Sequence, residues 1–174
     1  MRRLERHAGE ATAGLVLATG THLTIRPLEP ADRDRVRRMF ALLSPQSRHQ
    51  RFLAPKPDVT ARELAILTSI DHVDHEALTA VDERGSLVAI VRYVRFPDRP
   101  GDAELAAEVA DHLHGMGIAG ALAELIVERA RANGVTTLTA TTLWDNAAAR
   151  AGLRRLGFRA RRSAGALLDF ELPL

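Results

Sequence analysis

The chain has 174 residues with no cysteine, and its 24 basic residues, of which Lys56 is the only lysine, nearly cancel its 22 acids to leave a formal charge of +2. The length suits one domain with its own core, and the missing thiols exclude cysteine nucleophiles, disulfides and zinc–thiolate sites, so chemistry must rest on carboxylates, imidazoles, hydroxyls, backbone groups or a bound cofactor. The pI of 9.9 reports arginine's very high pKa, and no run approaches the roughly 18 apolar residues of a membrane span, so neither nucleic acid nor membrane is an expected partner and the cytoplasm is the expected location.

Residues 1–13 are polar and aperiodic and read as a flexible N-terminal arm, leaving 14–174 as the folded domain. Gly14–Ala18 and His22–Leu28 are extended runs around Thr19-Gly20-Thr21, a hairpin signal. Pro30-Ala31-Asp32 opens a helix with Val36, Met39, Phe40 and Leu43 on one face, stopping near Ser44-Pro45. A second helical piece runs from Ser47 to Leu53, and Thr60 with Glu63 three residues later forms a capping box for a helix to about Ser69.

Two strands, Glu76–Val81 and Ser86–Phe96, flank the turn Asp82-Glu83-Arg84-Gly85, and a third, Ala103–Ala110, follows a loop over 97–102. The turn Gly115-Met116-Gly117 then opens a helix to about Ala132, which Asn133-Gly134 ends. Val135–Thr142 is a strand, Asp145–Leu156 a helix stopped by Gly157, and Phe158–Arg161 and Ala166–Leu172 complete the sheet. The order describes a single α+β domain, a mixed and mostly antiparallel sheet flanked by helices.

The segment from Val109 to Leu122 says most about function. A strand entering a small-residue turn that opens a helix leaves several amides without intrahelical partners, and the helix dipole favours an anion there, so a diphosphate can approach. Gly115, Gly117 and Gly120 spell Gly-x-Gly-x-x-Gly, but the turn lies mid-chain after three strands and the following strand ends in Thr141-Thr142-Leu143-Trp144 without the acid a dinucleotide site needs. Taken alone, the glycines could equally serve close helix–sheet packing.

With its flanks, His114-Gly115-Met116-Gly117-Ile118-Ala119 resembles motif A of the GNAT superfamily of acyl-CoA-dependent N-acyltransferases, Gln/Arg-x-x-Gly-x-Gly/Ala. Downstream, Asp145-Asn146 at a helix start and Leu156-Gly157-Phe158 at its end resemble the superfamily's second marker, and the resemblance covers about residues 22–161. Within the superfamily the chain is most similar to bacterial protein lysine acetyltransferases of the Pat type, through Leu43-Ser44-Pro45-Gln46-Ser47-Arg48 with Arg51-Phe52, and through the pair Ala103-Glu104.

The resemblance implies acetyl-CoA as co-substrate, no metal, and an amine acceptor, a protein lysine first and a small amine second. It assigns Glu104 as general base, and amides from Gly115 to Gly120, with His114 and Met116 in the turn, to the CoA diphosphate. Val109 would pair with the pantetheine arm through its backbone, and Asn146 would touch that arm or cap its helix. Glu108 shares Glu104's parity and is the second base candidate, read as solvent-facing.

The chain departs from the pattern at His114, where Arg150 or Arg154 would have to compensate, and at Leu153, where many relatives carry a tyrosine that protonates the leaving thiolate. A non-catalytic acyl-CoA-binding regulatory module is therefore the second class of reading. Asp71-His72-Val73-Asp74-His75-Glu76 contains metal-ligand types without a ligand spacing, and His112 reads as a loop residue. Arg48 and Arg51, one helical turn apart, suit a solvated face or a contact with cofactor phosphate or an acidic protein substrate. Without cysteine, direct transfer in a ternary complex is expected, by a monomer or homodimer, with Lys56 as the one internal lysine open to self-acetylation.

Overall fold

The computed structural model describes residues 3–6 and 12–174, with the backbone alone for 162–164. The nine strands among the described residues form one sheet in the order β1-β2-β3-β4-β5-β6-β7-β9-β8. The hairpin read around Gly20 is β2 (Ala13–Val16) against β3 (His22–Pro27), with Gly20 in the left-handed region. Arg3–Arg6 departs from the arm expected over 1–13: it is β1, antiparallel to β2, because β2 offers it a free edge and Leu4 packs against the core. The rest of that arm from 7 to 11 lies outside the described residues.

The first helix is preceded by a short 3-10 turn at Pro30–Asp32, then runs as α1 (Arg33–Leu42). Two more helices follow: α2 (Pro45–Phe52), with Ser44 Oγ accepting from Ser47 N, and α3 (Ala61–Thr68), with the Thr60–Glu63 capping box complete on both sides. Then β4 (His75–Asp82), β5 (Leu87–Phe96) and β6 (Arg99–Val109) form an antiparallel meander. Part of the segment expected as a loop before β6 is strand from Arg99 onward.

The chain crosses under the sheet in α4 (Ile118–Ala132) and returns as β7 (Thr137–Leu143), parallel to β6. A last helix, α5 (Ala147–Arg155), leads to β8 (Arg159–Ala164) and β9 (Leu167–Pro173), where β9 inserts beside β7. The mostly antiparallel α+β architecture is the one the element order describes.

The middle strands are covered on both faces, which is why they read as nearly unbroken apolar runs. On one face Leu78, Val91, Tyr93, Ala103 and Leu105 meet Ala121, Leu122 and Ile126 of α4. On the other, Ala77 and Ile90 meet Val36, Met39 and Phe40 of α1 and Leu64 of α3. Leu153, partly buried, packs into the α4-side core.

β6 and β7 come together at Gly101, where a Cβ would lie 2.8 Å from Thr136 Oγ1, and Thr136 N donates to Gly101 O at 2.8 Å. Their ladder has only three rungs: Asp102 opposite Thr137, Ala103 opposite Leu138, and Glu104 opposite Thr139. Beyond Glu104, β6 stays with β5 as far as Val109 while β7 stays with β9 as far as Leu143, so the two strands part into a V.

Buried Asp32 ties the start of α1 to β3. Arg26 donates from both terminal guanidinium nitrogens at 2.7 Å, Glu29 N donates at 3.1 Å, and Arg35 adds a second ion pair. Burial alone would raise this carboxyl, but the Arg26 bonds, the Glu29 amide and Arg35 outweigh it and hold the pKa at about 2. A folded pKa below the unfolded value stabilises the fold above about pH 4 and loses that contribution as pH falls toward about 2. Asp32→Asn is expected to lower stability at neutral pH by about 2 kcal/mol. It should also flatten the loss of thermal midpoint between about pH 4 and pH 2, read from melts of both proteins across that range.

Candidate active site

Side chains along β6 alternate across the sheet, so Ala103 and Leu105 enter the α4-side core while Glu104, Ala106 and Glu108 face the side carrying α1 to α3. Glu104 is exposed on that face at the last rung before the V. It lines a groove with Phe96 of β5, Thr139 and Thr141 of β7, Arg161 of β8, and Asp169 and Glu171 of β9. The register brings these acids together, since Glu104 is opposite Thr139, Thr139 opposite Glu171 and Thr141 opposite Asp169. Thr141 Oγ1 donates to Asp169 at 2.9 Å and Arg161 Nε to Glu171 at 2.7 Å, so the groove carries three carboxylates and one guanidinium.

Glu108 does not face solvent. It lies on Glu104's face about 13 Å further along the strand, and α2 covers it. Arg51 of α2 donates Nε to Glu108 at 2.6 Å and Arg92 of β5 donates Nη2 at 3.0 Å, with Arg92 itself only 2% exposed. Burial would raise the carboxyl, but the two guanidiniums override it and hold the pKa below the usual carboxylate range. A carboxylate so held is no base for an ammonium.

Arg48 and Arg51 are likewise structural rather than solvated or phosphate-facing. Arg48 donates to the carbonyls of Leu43, Ala41 and Pro57, tying α2 to the end of α1 and to the following loop.

The glycine turn has the geometry the sequence suggests. After a 3-10 turn at Asp111–Leu113, Gly115 has φ +77° and Gly117, the N-cap of α4, has φ +79°, both in the left-handed region that glycine tolerates. The first intrahelical bond runs from Ala121 N to Gly117 O, so the amides of Ile118, Ala119 and Gly120 lie ahead of it at the positive end of the helix. Gly115 has open space where a Cβ would be, and Met116 is partly buried against the core.

His114 Nε2 lies 2.9 Å from Val109 O and 3.7 Å from Asp111 Oδ1, both acceptors, so it carries the hydrogen and donates to the strand end. Carbonyls of Gly101 and Ala103 point toward β7, as the bonds from Thr136 and Thr139 show, whereas Ala110 N bonds back to β5. By alternation, the backbone groups of Leu105, Ala107 and Val109 turn into the V.

A second groove leads from this turn. Its walls are Ser44, Gln46, Ser47 and Gln50 of α2 on one side, with Asp111, His114, Asp145, Asn146, Ala147 and Ala148 on the other. Asn146 Oδ1 accepts from Ala149 N at 3.0 Å, so the capping role holds and its amide donors remain for the groove. Arg150 is engaged elsewhere, donating to Trp144 O at 2.6 Å with its guanidinium 4.7 Å from the Trp144 ring, while Arg154 is exposed on the last turn of α5.

The structure thus brings Val109, the glycine turn and Asn146 to one end of the V and sets Glu104 at its apex. The α2 residues and the acids of β9 escaped the sequence reading, because only strand register and helix packing bring them there. The segment 71–74 is a bend leading into β4, in which Asp71 Oδ1 accepts from the amides of Val73, Asp74 and His75, and His72 pairs with Glu76 of β4.

Residues 22–159 match the family model described as an acetyltransferase (GNAT) domain. Acetyltransferase PA5475 of Pseudomonas aeruginosa is 35% identical over 149 residues, 84% of this chain and 80% of that protein. Acetyltransferase Pat of Mycolicibacterium smegmatis is 30% identical over 140 residues, 80% of this chain but 42% of that longer protein. The crystal structure of the GNAT domain of S. lividans PAT superposes with a TM-score of 0.89 at 29% identity, covering 97% of this chain and all of that one (100%). The family match over most of the chain, the identity to these acetyltransferases and the superposition together place it: the chain belongs to the GNAT family of acetyltransferases.

Proposed function

We propose that the chain moves the acetyl group of acetyl-CoA directly to an amine, a protein lysine before a small amine, with Glu104 as general base. The observation that carries this reading is the position of Glu104, at the apex of the V and exposed to an acid-lined groove on the opposite side from α4. The residues fit the donor. The helix start at Ile118 to Gly120 suits its diphosphate, and the inward-turned backbone of β6 suits an arm bearing amides, added like an extra strand.

A lysine ammonium reaches the groove charged, and Asp169 and Glu171 favour that form as it enters. Glu104 takes one proton directly or through one water, the freed amine nitrogen bonds to the acyl carbon, the nitrogen gives up a second proton to water, and the carbon–sulfur bond breaks to leave an amide. With Leu153 packed against the core at the position where the family resemblance implies a tyrosine, the leaving sulfur takes its proton from solvent. Glu104→Gln is expected to lower kcat about a hundredfold or more while acetyl-CoA still binds, measured by thiol release and calorimetry. A kcat within about threefold of the parent would remove Glu104 from the base role. Acetyl-CoA at about 100 times its Kd should stabilise the fold by about 2.7 kcal/mol and raise the thermal midpoint by about 5–10 °C.

Lys56 is a poor acceptor despite being the only lysine. Its Nζ pairs with Glu63 Oε1 at 2.5 Å and lies 5.0 Å from the centre of the Phe52 ring. The Lys56 bond, with the Thr60 amide and hydroxyl, holds Glu63 at a pKa of about 2, so the carboxylate stays charged at every pH where the enzyme works. Peptide mass spectra after incubation with acetyl-CoA should show Lys56 unmodified in the native chain and modified once Glu63→Gln releases it.

A further inference from the structure

We propose that Gln46 and Gln50 of α2 bind the amide-bearing arm of acyl-CoA, and that buried Glu108 is the positioning residue that fixes α2 as one wall of the cofactor channel. The inference rests on the acyl-CoA reading above and adds residues that neither motif contains.

Gln46 and Gln50 are one helical turn apart and both line the groove that starts at the glycine turn, facing His114 and Asn146. An arm with two amides crossing such a groove needs donors and acceptors from its walls. Glutamine offers both on one side chain, whereas on the facing wall the donors left are those of the Asn146 amide, beside the carboxylates of Asp111 and Asp145, because His114 Nε2 is already bonded to Val109 O.

The helix carrying them is fastened at each end to β6 or the turn after it. At its start, Ser44 N donates to Asp111 Oδ2 at 2.8 Å, one turn of chain before the glycines. Near its end, Arg51 reaches through to Glu108, the residue next to Val109. Arg92 completes the cluster with a bond to Leu67 O at 2.7 Å, and its Nη1 lies 3.5 Å from His75 Nε2.

A buried ion pair of this kind adds little net stability over an apolar pair, because desolvation offsets most of the attraction, but it permits one register only. Sliding α2 by a turn would take Arg51 away and leave Glu108 Oε2 buried without its partner. The cluster therefore sets where Gln46 and Gln50 stand relative to the inward-facing backbone of β6.

Calorimetry on the full chain tests this with two probes, acetyl-CoA and 3′-phosphoadenosine 5′-diphosphate, which carries the phosphates without the arm. Gln50→Ala and Gln46→Ala should each weaken acetyl-CoA about three- to tenfold and leave the nucleotide unchanged. Glu108→Gln should raise the KM for acetyl-CoA about tenfold with kcat and its pH profile retained, unlike Glu104→Gln, which lowers kcat. Arg51→Met, which keeps the Arg92–Glu108 pair, should show the same KM effect and carries the test if Glu108→Gln does not fold.

Unchanged acetyl-CoA affinity in both glutamine variants, or an equal loss for the nucleotide, overturns the assignment of the arm. An unchanged KM in folded Arg51→Met overturns the positioning role. Failure of the parent chain to bind acetyl-CoA at all would instead remove the acyl-CoA reading on which the inference rests.

Discussion

The molecule depends on a parallel ladder only three rungs long. β6 and β7 meet where Gly101 lets Thr136 approach, hold through Glu104 and Thr139, and then follow different partners. Each strand satisfies one edge against its antiparallel neighbour, which leaves the two inner edges turned toward each other across the V. Backbone groups in such a gap need partners from water or from an extended polar ligand. The same crossover that makes the pair parallel brings the start of α4 to the mouth of the gap, so the amides of that helix start and the strand-like edges lie together.

Charge buried beside that gap organises it from the other face. The Arg51–Glu108–Arg92 cluster is desolvated, yet each carboxylate oxygen of Glu108 has a guanidinium partner within 3.0 Å, which is the condition under which buried charge is tolerated. Asp32 with Arg26 and Arg35 repeats the device at the start of α1. In both places a helix on the face carrying α1 to α3 is tied to a strand by a fixed geometry. On the same face the acids of β9 stand in open groove, where Glu104 meets water. Glu104 and Glu108 share a strand, a face and a chemistry, and only the cover of α2 and the presence of two arginines separate an exposed carboxylate from an anchored one.

Much of the fold was legible in local chemistry. The Thr60–Glu63 capping box, the hairpin at Gly20, the left-handed glycines at 115 and 117, and the Asn146 cap are each set by a few neighbouring residues, and each stands where the sequence puts it. The α+β order follows from alternation in the strands and helical spacing between them. The V was not legible, because the point where two parallel strands separate depends on which neighbour each prefers beyond Glu104. The first strand escaped for a similar reason: Arg3–Arg6 has no strand pattern of its own and is recruited by the free edge of β2.

By itself the sequence determined the glycine turn that opens α4, the strand carrying Glu104 and the family to which the chain belongs, since these rest on residue types at short, fixed spacing. Tertiary structure alone decided that Glu108 is an anchor, that Arg48 and Arg51 serve α2 rather than phosphate, that Lys56 is held by Glu63, and that Asp169 and Glu171 face the same groove as Glu104. Parity along a strand names a face but not its cover, and a charge in a sequence carries no sign of its partner, whether that partner lies 7 residues away, as Glu63 does from Lys56, or 57, as Glu108 does from Arg51.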